Sequence, residues 1–201
     1  MTTVDDLAAL VAEGDLELGL LSEEEYVALW LDRALREPDS VPSETLVAVK
    51  SLLSSERAHL VDDELVLGGF LGLIRFASDA ATVEVDLEVE GGDSFSWSTC
   101  GPVLLQRDWS PPGLFRFVLR SRPRALTGLV RDLFSVAPET TVRVSFTVAE
   151  VDEDTPGQGP DPQVFTFVRE TGVATWSGPT EEPVTVDQLG LRRLLQVLLD
   201  G

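Results

Sequence analysis

Apolar and polar positions alternate strictly from Val83 to Glu90, with Val83, Val85, Leu87 and Val89 interleaved with Glu84, Asp86, Glu88 and Glu90. A period of two puts the apolar set on one face of a strand and the carboxylates on the other. Gly91-Gly92-Asp93 turns the chain. Further strands are expected at Ser94 to Ser98, Val103 to Gln106 and Leu114 to Arg120, separated by Cys100-Gly101-Pro102 and by Trp109-Ser110-Pro111-Pro112-Gly113. After Pro123 the period lengthens to that of a helix carrying Leu126, Leu129, Val130, Leu133 and Phe134. This middle stretch reads ββββα.

The same order recurs toward the end of the chain. Thr141 to Val148 repeats the alternation of Thr82 to Val89 at an offset of 59, and Phe165-x-Phe167 matches Phe95-x-Trp97. Gly172-Val173 matches the turn at Gly101 and Val103, and Leu191, Leu194, Leu195, Leu198 and Leu199 lie 65 positions after the five apolar residues of the first helix. Two related ββββα units are therefore expected, each too open to be stable without the other. Between the first two strands of the second unit, Asp152 to Pro162 forms a polar loop.

Residues 3–60 read as helical. The first helix runs from Asp5 and ends at Gly14, and the second opens on Ser22, where Glu25 completes a capping box and Glu23 and Glu24 suit the positive end of the dipole. Tyr26, Leu29, Trp30 and Ala34 form its apolar stripe, and Pro38 and Pro42 stop it. A third helix opens at Ser43-Glu44 and carries Leu46, Val49, Leu52 and Leu53. The apolar run from Leu65 to Phe76 holds three glycines and is read as a further helix; its Gly68-Gly69-x-x-Gly72 spacing is not that of a dinucleotide-binding turn. The expected class is α+β: an N-terminal helical segment (1–80) and two pseudo-symmetric antiparallel sheet-plus-helix units (81–138 and 139–201) in one domain.

Charge sharpens the picture. Thirty-five acids against fifteen bases, fourteen of them Arg, give a net charge of −20, which disfavours nucleic acids and anionic membranes as partners. The first 66 residues carry sixteen acids and four bases, residues 67–135 eight and seven, and residues 136–201 eleven and four. Bulk solubility alone accounts for such acidity as well as a functional role does. The start of the chain lacks the basic stretch of a signal peptide, and Leu65 to Ile74 is far short of the roughly 20 apolar residues of a membrane span, so a cytoplasmic location is expected. A single cysteine, Cys100, gives no internal disulfide, and with one histidine, His59, it makes no Cys/His zinc site.

Catalytic chemistry is thin. His59 falls in an expected helix with no nucleophile elbow in the chain, and the acid clusters Asp62-Asp63-Glu64 and Asp152-Glu153-Asp154 lack the spacing and glycine of a calcium loop. No catalytic residue, metal ligand or cofactor is expected. Candidate partner contacts are Trp109, on a Pro-rich turn, and the cations Arg116 and Arg120 from a cluster that also holds Arg122, Arg124 and Arg131. Against that stand core packing for Trp109 and simple pairing with nearby acids for the arginines.

Leu21-Ser-Glu-Glu-Glu-Tyr-Val-Ala-Leu-Trp30, Leu53-Ser-Ser-Glu-Arg-Ala-His-Leu-Val61 and Leu71-Gly-Leu-Ile-Arg-Phe-Ala77 before the strand Val83 to Leu87 together resemble the EspG-type chaperones of ESX (type VII) secretion systems. Where the family commonly has Arg-Gly-Leu, this chain has Arg57-Ala58-His59-Leu60. The resemblance implies a cytosolic, non-enzymatic, actinobacterial chaperone that holds a PE/PPE-type helical secretion substrate. The alternatives are an acidic immunity or antitoxin-like inhibitor and, in a different class, a small ligand-binding or hydrolase domain.

Overall fold

The computed structural model describes residues 2–30, 43–61, 64–91, 94–110, 113–148, 162–170, 173–178 and 182–200. Ala34, Pro38, Pro42, Asp62, Asp63, Gly172 and the loop from Asp152 to Asp161 lie outside them. In chain order the elements are α1 (Val4–Leu10), β1 (Leu16–Ser22), α2 (Glu23–Ala28), α3 (Ser43–Ser54), β2 (Ala58–Val61), β3 (Glu64–Leu67), α4 (Gly69–Asp79), β4 (Val83–Val89), β5 (Ser94–Cys100), β6 (Val103–Ser110), β7 (Leu114–Ser121), α5 (Arg122–Ser135), β8 (Thr141–Val148), β9 (Gln163–Glu170), β10 (Val173–Ser177), β11 (Val184–Val186) and α6 (Gln188–Asp200). The chain is α+β.

Among the described residues nine strands form one sheet in the order β1-β7-β6-β5-β4-β8-β9-β10-β11. At its centre β4 runs antiparallel to β8, with Val83 opposite Val148 and Asp86 opposite Ser145. The apolar face of β4 (Val83, Val85, Leu87) joins Trp97, Leu104, Val142, Val144, Phe167 and Trp176 in one core under α5 and α6. Burying each of those β4 side chains contributes about 1.5–3 kcal/mol relative to exposure. A second core lies on the opposite face, where Leu18, Leu21, Cys100, Val103, Leu105, Phe117 and Leu119 meet Leu7, Leu29, Leu52, Leu71 and Ile74 from α1 to α4 and their flanks. Its residues from the nine-stranded sheet come from β1, β5, β6 and β7, joined by Ala58 and Leu65 of the β2–β3 hairpin.

The helical reading of residues 3–60 needs two corrections. Leu16–Ser22 is an edge strand paired with β7, and Ala58–Val61 is half of a hairpin with β3. In β1 a bulge moves the register between Glu17 and Gly19, so Leu18 and Leu21 are both buried although three apart. That spacing imitates a helix in the sequence. Gly19 adopts φ +111°, a conformation that side chains resist. His59 accordingly sits on a strand opposite Val66, not in a helix. The apolar run from Leu65 is likewise split: β3 ends at Leu67, Gly68 caps α4, and its amide donates to the Arg57 carbonyl at 3.0 Å.

The capping box at Ser22 forms as its sequence predicts, with the Ser22 hydroxyl accepting from the Glu25 amide and the Glu25 carboxylate accepting from the Ser22 amide. A second box, Thr3 with Asp6, starts α1. The open carbonyls after α1 are taken by Arg124, which donates to Val11 O at 3.0 Å and Ala12 O at 2.9 Å. Gly101, at φ +57°, turns β5 into β6 beneath α1, where an added Cβ meets Val4 Cγ1 at 3.1 Å. Gly101→Ala is expected to lower stability by about 1–2 kcal/mol through left-handed strain and displacement of Val4, measured by urea unfolding.

Candidate protein-docking surface

Trp109 lies near the end of β6, not on a turn; it is 44% exposed and meets the Phe115 ring edge-on at 4.9 Å. It faces the same side of the sheet as Leu105 and Phe117. Arg116 and Arg120 point to the other side, since Arg116 stands opposite Asp108 and Trp109 opposite Phe115. The three residues therefore do not form one patch. Each arginine of the cluster has an acidic neighbour: Arg116 with Glu17 at 2.9 Å, Arg120 with Asp15 at 3.2 Å, Arg122 with Asp200 at 2.6 Å, Arg131 with Asp132 at 3.1 Å, and Arg124 within 4.0 Å of Asp15.

The fork-like Arg116–Glu17 contact, with Nε and Nη2 each donating to one carboxylate oxygen, holds the Glu17 carboxyl below the usual range. A depressed folded pKa means that the pair's contribution is present above the unfolded value and disappears as pH falls through the folded one. In an NMR pH titration the Glu17 midpoint is expected below 4.5 and should move up in Arg116→Gln.

Among the described residues, the surface without helical cover is elsewhere. On the face that carries α1 to α4 over β1, β7, β6 and β5, no described helix contributes a core over β4, β8, β9 and β10. Those strands present Glu84, Asp86 and Glu88, then Arg143, Ser145 and Thr147, then Val164, Thr166 and Val168, then Thr175 and Ser177, all partly or fully exposed. Their alternate neighbours Val85, Val144, Phe167 and Trp176 are buried beneath α5 and α6. The result is a field of mostly short hydroxyl and valine side chains, interrupted by Arg143 and bordered at β4 by a row of carboxylates. Ser98, Ser96 and Ser94 stand opposite those three acids on β5.

At the seam between helical cover and open sheet is a cavity of about 170 Å³, lined by Tyr26, Ser78, Glu84, Asp86, Ser96 and Arg107 among others. Arg107 lies over the rings of Tyr26 and Phe115, 5.2 and 5.3 Å from their centroids, and donates to Ser96 Oγ at 3.0 Å. Ser96 in turn donates to Asp86 Oδ1 at 2.6 Å. The Glu84 side chain has no hydrogen-bond or ion-pair partner among the described residues, and the Ser78 hydroxyl is buried without one. A wider cleft of about 390 Å³ lies beside Trp109, lined by Phe95, Gln106, Asp108 and Asp132.

Sequence reasoning identified the Glu84-Asp86-Glu88 row as a wet face but missed its uncovered setting. Among the described residues no three His, Cys, Asp or Glu side chains converge as metal ligands, and no helix is long and apolar enough to cross a membrane. His59 is exposed on its hairpin. Comparison with known protein families and with curated proteins found no match for this chain.

Proposed function

We propose that this chain is a non-enzymatic, cytoplasmic protein-binding protein, a chaperone of the EspG type that holds a helical PE/PPE-like secretion substrate on the open half of its sheet. The observation that carries the reading is the asymmetry of cover among the described residues: helices lie along one face of the sheet, while on the other face the described helices pack over β1, β7, β6 and β5. A face of mostly short side chains lets a partner backbone approach closely. The reading requires no cofactor, nucleic acid or membrane.

On the same reading, the stretches β4–β7–α5 and β8–β11–α6 are pseudo-symmetric units. Supporting this, both have the order ββββα, and the offset of 59 that relates Thr82–Val89 to Thr141–Val148 carries Asp86 onto Ser145, its partner across β4 and β8. In a two-fold pair the residue beside the axis faces its own equivalent.

An acidic inhibitor is the second reading, favoured by the net charge of −20. Co-purification from the native host followed by mass spectrometry separates the two. A helical secreted protein held in a stable complex is the expected result; a nuclease or other toxin replaces the chaperone by the inhibitor, and a metabolic enzyme or no partner removes both.

A further inference from the structure

We infer that the open half of the sheet is built for a basic helix, one that carries Lys or Arg at i, i+4 and i+8 and lies along the carboxylate row of β4. This assignment rests on the protein-binding reading above and adds the chemistry of the partner.

Charge and spacing both point to it. Glu84, Asp86 and Glu88 project from one face of a single strand, about 6.6 Å apart, and helical residues four apart are separated by about 6 Å along the axis. Over three contacts the two periods drift by only about 1 Å along the axis, and the rotation of about 40° per four residues is within the sweep of long Lys and Arg side chains. The neighbouring rows, Ser98-Ser96-Ser94 on β5 and Thr147-Ser145 on β8, are too short to hold a helix away from the acids. Glu84 has no partner among the described residues, and Asp86 is held by the Ser96 hydroxyl instead of a cation. Arg107 lies over Tyr26 and Phe115 and reaches Asp86 only through the Ser96 hydroxyl, whereas the exposed Arg143 stands directly opposite Glu88 in the flanking β8 row. Glu84 and Asp86 are therefore the stronger pair of contacts. A polyanion on this face would meet three exposed carboxylates in a chain already strongly negative.

The test uses the full chain and an alanine-based helical peptide with three lysines four residues apart. Its controls are the same peptide with glutamates and an isomer with the lysines two apart. Fluorescence anisotropy at low salt should show binding of the first peptide alone, weakened about tenfold or more in Glu84→Gln/Asp86→Asn. Glu13→Gln/Glu44→Gln, which removes two exposed acids elsewhere, should bind as the unaltered protein does, and thermal melts should confirm that both variants are folded. Equal weakening in the two double variants, or equal binding of both lysine isomers, would mean unspecific attraction to an acidic protein and overturn the assignment. A native partner that Glu84→Gln/Asp86→Asn still holds at full strength also overturns it, while leaving the binding role intact. If no native partner is recovered but the peptide still discriminates between the variants, the docking chemistry is upheld and the chaperone role falls.

Discussion

Replacing Phe167 with Ala is expected to lower unfolding stability by about 3–5 kcal/mol, while Thr166→Ala, one residue earlier, changes it by about 0.5 kcal/mol or less. The two side chains leave the same strand on opposite faces. Phe167 is fully buried, edge-on to Phe134 of α5 at 5.6 Å and across from Val142 and Trp176. Its removal leaves a ring-sized cavity that the sheet cannot close, because both neighbouring strands are fixed by their own ladders. Thr166 stands on the open face beside Arg143 and Ser177 and loses little. Urea unfolding of both variants is the check, and a large loss at Thr166 would show that something covers that face.

Arg120→Glu should cost about 2 kcal/mol, the loss expected where an arginine bridges separate elements of the fold. Its side chain is 21% exposed, its Nε lies 3.2 Å from Asp15 Oδ2 at an angle too poor for a hydrogen bond, and its Nη1 is 3.5 Å from where a Cβ on Gly128 would sit. The guanidinium thus ties the α1–β1 connection to β7 and α5. A glutamate there sets two carboxylates side by side and leaves Asp15 with only the more distant Arg124, at 4.0 Å. Arg116→Glu, at a more exposed pair, should cost less than half as much by the same thermal or chemical melt.

What the sequence makes legible follows from how local each signal is. The alternation in Val83–Val89 and Thr141–Val148, and the leucine spacing in α5 and α6, are set within one element, and the structure carries the corresponding buried faces. Ser22 with Glu25 is legible for the same reason. β1 is not, because the Gly19 bulge displaces its inward residues to a helix-like spacing. The break inside Leu65–Phe76 depends on Gly68 bonding to Arg57, eleven residues back, and no period records that.

The arginine pairs are harder still, since Glu17 and Arg116 are 99 residues apart. The open face is the clearest case of a feature hidden from sequence. Glu84, Ser145, Thr166 and Thr175 look like any wet strand face, and their meaning comes only from the helices α1 to α4 settling over the other half of the sheet.

Cysteine accessibility tests the central claim most directly. The native Cys100 is fully buried, and its burial pushes the thiol pKa up, so a thiol introduced at Thr166 can be followed against a silent background. In the free protein Thr166→Cys should react readily with a maleimide where the native Cys100 does not, and in complex with the recovered partner the Thr166 position should be shielded while a cysteine placed at Val197, on the exposed side of α6, stays open. A Thr166→Cys thiol that is slow in the free protein, or one left open in the complex while Val197→Cys is protected, would contradict it.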